Sequence, residues 1–447
     1  MSDSYLSFVN SPWGRWFAKT AGLPQPLPLQ RHRSGQQGLA NPVIVAGAGR
    51  LAAEVQRIFT ATDTVTAQPA TIKAPSTVKV QGAVFDASEI VELKQLDELY
   101  EFFHTNARRL AQHARVVVLG TAPEQCKHLP QAIAQRALEG LVRSLAKELR
   151  RAITVQLIYV APGAESALES SLRFFLSWRS AYVSGQVVRL EKPVDQPTDI
   201  DWDKPFSGRR ALVTGASRGI GLAIAQVLAR DGAQVVCVDV PQAQESLQQA
   251  ADSVGGTALA LDITAADAAQ KLQAHVSEHG AFDVVVHNAG ITRDKTIAKM
   301  TEAAWRSVLA VNLDAPLQLS MALLEGQGLK PGGRIVCVSS ISGIAGNLGQ
   351  SNYATSKAGV IGLVQGLAPR AAKQQVTVNA VAPGFIETQM TAKIPLMIRE
   401  AGRRMNSLSQ GGQPIDVAQT IAWLAHPASG GVNGQVVRVC GQSLLGA

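Results

Sequence analysis

The chain has 447 residues, 46% of them hydrophobic, and a formal charge of +8. That is enough apolar material for two or more cored domains and too much for a disordered chain. The longest apolar runs, such as Val116-Val117-Val118-Leu119, are strand-length, and residues 1–20 hold Asp3 and no continuous apolar stretch, so neither a membrane span nor a secretory leader is expected.

Residues 1–40 read as an N-terminal extension. Tyr5, Leu6, Phe8, Val9, Trp13, Trp16 and Phe17 make an aromatic-rich patch before Pro24, Pro26 and Pro28 break any helix. Packing onto the protein's own body or a partner chain is one reading of the patch, and docking on a membrane surface is the other. From residue 41 the pattern becomes α/β. Residues 43–46 read as a strand, Gly47-Ala48-Gly49-Arg50 as a turn and 51–59 as a helix. A strand at 82–86 follows, then a helical stretch to about Ala114, a strand at 115–119, a helix at 132–150 and strands at 153–160 and 186–190. Residues 191–208, with Pro193, Pro197 and Pro205 among acidic residues, read as a linker. These bounds give domains at 41–190 and 209–447.

The second half restarts with a buried strand at 211–214 and a glycine-rich turn, Gly215-Ala216-Ser217-Arg218-Gly219-Ile220-Gly221, opening a helix at 222–230. Strands at 234–238, 259–262, 282–287, 334–338, 376–381 and 435–439 complete a set of seven, with helices in the gaps as parallel crossovers require. The halves echo each other. Val183-Ser184-Gly185-Gln186-Val187-Val188-Arg189 nearly repeats Val432-Asn433-Gly434-Gln435-Val436-Val437-Arg438, and two further matches keep the same order, as in a duplicated unit.

Cys126, Cys237, Cys337 and Cys440 lack metal-ligand spacing, so no metal is expected and a reduced, cytoplasmic setting fits best. No Lys/Arg run is interleaved with aromatics, which argues against nucleic acid; nucleotide phosphates or an acidic carrier protein suit the positive charge better.

Chemistry concentrates in the second half. Glycines at 215, 219 and 221, between a strand and a helix, let the backbone turn sharply and a pyrophosphate approach the helix N-terminus. Asp239, closing the next strand, can accept hydrogen bonds from both ribose hydroxyls and repels a 2′-phosphate, which favours NADH over NADPH, while Arg218 in the loop could tolerate the phosphate. Tyr353 and Lys357 lie one helical turn apart. The ammonium is expected to lower the phenol's pKa and make Tyr353 a usable proton donor, with Ser340, at the end of a strand-like run, on the same substrate oxygen.

The set Thr214 to Gly221, Asn288-Ala289-Gly290, Asn312, Ser340, Tyr353-x-x-x-Lys357 and Pro383-Gly384 resembles the motifs of short-chain dehydrogenases/reductases, in that family's order and spacing. The stretches 349–353 and 384–391 resemble its β-ketoacyl-[acyl carrier protein] reductases, in their large two-domain form. The resemblance implies two doubly wound, Rossmann-like parallel-sheet α/β domains, the first degenerate and flavodoxin-like. It implies a catalytic set of Tyr353 as proton donor, Ser340 orienting the ketone, Lys357 holding the nicotinamide ribose and Asn312 holding a relay water. The cofactor would be held by Gly215, Ser217, Arg218, Gly219, Ile220, Gly221, Asp239, Asp262, Ile263, Asn288, Ala289, Gly290, Tyr353, Lys357, Pro383, Gly384, Ile386 and Thr388.

The implied activity is NADH-dependent reduction of 3-oxoacyl thioesters of acyl carrier protein or coenzyme A in fatty acid metabolism, with NADPH as a second possible cofactor. Two other readings stay open: a 3-hydroxyacyl-CoA or secondary-alcohol dehydrogenase, and a non-catalytic dinucleotide-binding scaffold. In the first half, Gln131 and Gln135 stand opposite Tyr353 and Lys357, Asp86-Ala87-Ser88 opposite Asn288-Ala289-Gly290, and the loop lacks the later glycine, so no catalysis is expected there. Retention of its helix and last strand points to a homodimer in which the first domain stands in for a subunit of a pseudo-tetramer, with the tail 443–447 near the interface.

Overall fold

The computed structural model describes residues 3–444 other than 34, 35, 37, 72, 73, 196, 198, 393 and 394. Of the tail expected at an interface, Leu445, Gly446 and Ala447 lie outside the described residues, and Leu444 is exposed. The chain forms two compact units: residues up to Lys192 with Ala392–Gly412 and Cys440–Leu444, and Pro193–Thr391 with Gln413–Val439.

The first unit is built on six parallel strands, β1 (Val43–Ala46), β2 (Thr66–Ala67), β3 (Val80–Asp86), β4 (Leu110–Gly120), β5 (Thr154–Val160) and β6 (Gln186–Leu190), in the order β2-β1-β3-β4-β5-β6. This is the flavodoxin-like order with one strand added at the edge. Phe85, Val116, Leu138, Val142 and Leu157 form its core. Strand β4 starts earlier than expected: the helix ends at Asn106, and Leu110 already pairs with Val80. A register shift and His113 at φ +62°, its amide donating to Arg151 O, bend the strand where 110–114 had read as helix.

The extension forms two helices, Ser4–Val9 and Pro12–Thr20, capped by the Asp3 and Ser11 side chains. They are tied to residues 392–412 by Asp3, which accepts from both terminal nitrogens of Arg404 at 2.7 Å, and by Gln410 Nε2 donating to Leu27 O. That segment leaves the second unit just after Thr391 and is a part of the first.

The second unit carries β7 (Arg210–Thr214), β8 (Gln234–Asp239), β9 (Thr257–Ala260), β10 (Phe282–His287), β11 (Leu329–Val338), β12 (Thr377–Pro383) and β13 (Val436–Val439), all parallel, in the order β13-β12-β11-β10-β7-β8-β9. Strands covered by helices on both faces must be apolar throughout, hence runs such as Val284-Val285-Val286. Chain order reverses between β7 and β10, which opens a crevice at their carboxyl ends, the place where ligands bind in such sheets. Among the described residues one helical run, Glu302–Glu325, is long and apolar enough to cross a bilayer, but 44% of its most apolar 18-residue window is buried and its middle carries Asn312 into the unit's interior.

Candidate active site

The helix Ser351–Ala371 places Tyr353 and Lys357 on one face, packed against the end of β11. Lys357 Nζ donates to Val338 O at 2.7 Å, and Ser339 Oγ donates to Lys357 O at 2.7 Å, so the strand end and the helix are fixed to each other twice. A Cβ on Gly343 would come within 2.6 Å of the Lys357 carbonyl carbon, so the loop after Ser340 can lie on that helix only as glycine. Ser340 hydrogen-bonds the Tyr353 phenol and accepts from Ser342 N at 3.1 Å.

The electrostatics differ from expectation in one respect. Burial holds the phenol above its ordinary value of 10, the Ser340 hydrogen bond pulls it part-way back, and Asp294 adds to the rise. Lys357 is not the group that sets it. Its Nζ lies 5.7 Å from the Tyr353 ring centroid and gives its hydrogen bond to a backbone carbonyl. Burial brings the ammonium itself down from 10.5 to about 8, against a smaller opposing effect of Cys337. The phenol is thus neutral at pH 7, the state a proton donor needs, beside a lysine that is still mostly charged.

Asn312 sits in a π-helical turn, Ala310–Asp314, that interrupts the long apolar helix. Its side chain explains the bulge: Oδ1 accepts from Ile291 N at 2.8 Å, and Nδ2 donates to Ile291 O and Ser356 Oγ, both at 3.0 Å. A Cβ built on Gly290 would lie 3.3 Å from Asn312 Oδ1 and 3.4 Å from Lys357 Nζ, so these three residues meet at one point.

The glycine-rich turn is clasped to β10. Thr214 Oγ1 accepts from Asn288 N and Ala289 N, and Asn288 Nδ2 donates to Thr214 O and Gly215 O, at 3.0–3.2 Å. A Cβ on Gly221 would strike Gly215 O at 2.0 Å, whereas Gly219, at φ +61°, faces open space. The helix Gly219–Arg230 has no side-chain cap, which leaves its first N–H groups to an anion. Among the loop residues, Arg218 is exposed and Ile220 half-buried. Asp239 accepts from Ser217 N at 3.2 Å and from Ser217 Oγ at 2.6 Å, so the acid sits against the loop. Leu261 N bonds Asp239 O, bringing the exposed Asp262 and the buried Ile263 next to it. Asp262 is turned onto Thr264 N and Oγ1. On the other side, Pro383 O accepts from Ile341 N, and Gly384 N donates to Val439 O. Ile386 is buried, and Thr391 Oγ1 closes the Ile386–Thr388 turn by bonding Ile386 O and Thr388 N. These residues fit a dinucleotide.

The first unit shows the same frame with different chemistry. Asp86 Oδ2 accepts from Leu51 N at 2.8 Å and Oδ1 from Ser88 N at 3.0 Å, which sets a carboxylate against the Gly47–Arg50 turn, where it would repel a pyrophosphate. Arg50 reaches Val160 O and Glu165. Gln135, opposite Lys357, is fully buried, accepts from Thr121 N at 2.8 Å and donates to Ala87 O at 2.7 Å and Ile90 O at 3.0 Å. Gln131, opposite Tyr353, accepts a local bond from Lys127 N at 3.3 Å.

The family model described as "Enoyl-(Acyl carrier protein) reductase" matches residues 215–441. The 3-oxoacyl-[acyl-carrier-protein] reductase FabG of Vibrio cholerae serotype O1 is 41% identical over 239 residues, which are 53% of this chain and 97% of that protein. Those of Thermotoga maritima (40% over 240 residues, 53% and 98%) and Escherichia coli K12 (38% over 239 residues, 53% and 97%) are similar. The chain belongs to the short-chain dehydrogenase/reductase family. The match to these short-chain reductases covers the second half alone. Within that half, Thr214, which opens the glycine-rich motif, and two residues that the sequence did not single out shape the site. Thr214 holds the Asn288 turn, Ser356 links Asn312 to Tyr353 O, and His287, its pKa brought down to about 4 by burial and so held neutral, pairs with Ser320 at 2.9 Å. Ser356 lies between Tyr353 and Lys357, which was the available signal; nothing marked His287.

Proposed function

We propose that the chain reduces 3-oxoacyl thioesters, carried on acyl carrier protein or coenzyme A, to 3-hydroxyacyl thioesters in fatty acid biosynthesis. The observation that carries this reading is the convergence of Ser340, Tyr353, Lys357 and Asn312 beside an uncapped glycine-rich helix start. A bound nicotinamide would supply the hydride. Tyr353 O–H gives its proton to the ketone oxygen, and Ser340 Oγ orients that oxygen and shares the charge that develops on it. Lys357, charged below about pH 8, would bond the nicotinamide ribose. Asn312 fixes the Gly290–Ile291 backbone at this point and keeps one acceptor position on Oδ1 for a relay water.

The Gly215–Gly221 turn would hold the pyrophosphate, with Ser217, Arg218 and Ile220 along it. Asp239 would take the adenosine ribose, Asp262 and Ile263 the adenine, Asn288, Ala289 and Gly290 the second ribose, and Pro383, Gly384, Ile386 and Thr388 the carboxamide side. Asp239 would favour NADH, because a carboxylate bonding the adenosine ribose would repel a 2′-phosphate. The FabG relatives are named for acyl-carrier-protein substrates, which supports the thioester class. A homodimer arranged as a pseudo-tetramer completes the reading. Assaying acetoacetyl thioesters of coenzyme A and acyl carrier protein with NADH and NADPH tests it. Inert thioesters alongside turnover of simple alcohols would overturn the substrate class.

A further inference from the structure

The N-terminal helices present a surface that the reductase reading does not use. In Pro12–Thr20, Gly14 and Ala18 are buried, while Trp13 is 82% exposed, Trp16 66% and Phe17 48%. Val9 is buried and Tyr5 packs under Arg404, but Phe8, Trp13, Trp16 and Phe17 do not pack onto the body of their own unit. Trp13, Trp16 and Phe17 follow the i, i+3, i+4 spacing of one helix face, and Phe8 of the preceding helix extends it by an edge contact with Phe17 at 6.2 Å.

This is a held platform and not a loose tail. Ser11 caps the helix, Tyr5 Oη donates to Pro24 O at 2.6 Å, Asn10 Nδ2 donates to Pro26 O at 3.0 Å, and Asp3 is paired with Arg404. Arg15 and Lys19, one turn apart, are exposed beside the aromatic face. Residues 4–33 contain Arg15, Lys19, Arg31 and Arg33 and not one Asp or Glu.

We propose that this surface docks on an anionic lipid bilayer, with Trp13, Trp16, Phe17 and Phe8 at the headgroup–acyl boundary and Arg15 and Lys19 against the headgroups. The combination of an apolar aromatic face and flanking cations on a short helix is what such an interface selects. A second copy of the chain fits less well. A two-fold contact must be self-complementary, and this one would gather the Arg15 and Lys19 of both copies with no acid on either helix to answer them.

The test uses the full chain, sedimented with vesicles of phosphatidylcholine alone or mixed with phosphatidylglycerol. Binding is expected to the mixed vesicles, with a blue shift of tryptophan emission and weakening by salt. Lys19→Gln should reduce partitioning about fivefold, the effect of one basic residue near an anionic surface. Trp13→Ser with Trp16→Ser should abolish the emission shift and leave reductase activity and circular dichroism unchanged, since both side chains face solvent. Equal binding to both vesicle types, no binding at low salt, or unaltered binding by the double variant overturns the proposal. A double variant of lower oligomeric mass, with no vesicle binding by the parent chain, assigns the surface to a second copy instead.

Discussion

Replacing Lys357 by methionine should make the protein more stable and less active. The lysine is buried, has one backbone partner, Val338 O, and its pKa falls from 10.5 to about 8. At 1.36 kcal/mol per pKa unit that fall corresponds to about 3 kcal/mol carried by the folded state. Losing the hydrogen bond gives back about 1 kcal/mol, so the Lys357→Met variant should gain about 2 kcal/mol at pH 7. In a unit of this size that raises its melting temperature by about 4–8 °C. The sign follows from proton binding: between the two pKa values the unfolded chain holds more protons than the folded one, so wild-type stability rises with pH there. The gain of the variant is therefore full below about pH 8 and shrinks toward pH 10.5. Thermal melts of both proteins at pH 7 and pH 10, with reductase rates at pH 7, make the assay. A variant less stable than wild type at pH 7, or one with undiminished turnover, would refute the placement of a buried, functional ammonium.

The cofactor predictions rest on the two glycine turns. Asp239→Ala should relax the preference for NADH over NADPH through loss of ribose bonding and of phosphate repulsion, read as a ratio of kcat/KM values; better kcat/KM with NADPH in the unmutated enzyme would show Arg218 outweighing Asp239. Calorimetric titration should give one dinucleotide per chain, since in the first unit the Asp86 carboxylate lies against the turn and the uncharged Gln135 stands opposite Lys357, and two sites would contradict that account. Light scattering at micromolar concentration should give a homodimer; a monomer or a tetramer of full chains rules the pseudo-tetramer out.

How much of this was legible in the sequence varies with how local its cause is. The seven strands of the second unit announce themselves because doubly covered parallel strands must be runs of Val, Ile and Ala, and the glycine turn sits between two of them. Strand β4 starts earlier than the pattern predicts, because its bend is made by a left-handed His113 and not by a Gly or Pro. Strand β2, two residues long, and the helix Leu168–Phe175 left no usable pattern. The catalytic spacing was readable from Tyr353 and Lys357, but the direction of the phenol's shift was not. It depends on burial and on Lys357 choosing Val338 O, which only the packed structure decides. The assignment of 392–412 to the first unit is equally non-local, since Arg404 meets its carboxylate 401 positions away.

The most direct test of the proton-donor assignment compares wild type with Tyr353→Phe, measuring NADH oxidation by an acetoacetyl thioester and NADH binding by fluorescence. The account predicts turnover lower by at least about a hundredfold with binding retained, the scale of losing a general acid. Wild-type turnover in the Phe variant would contradict it.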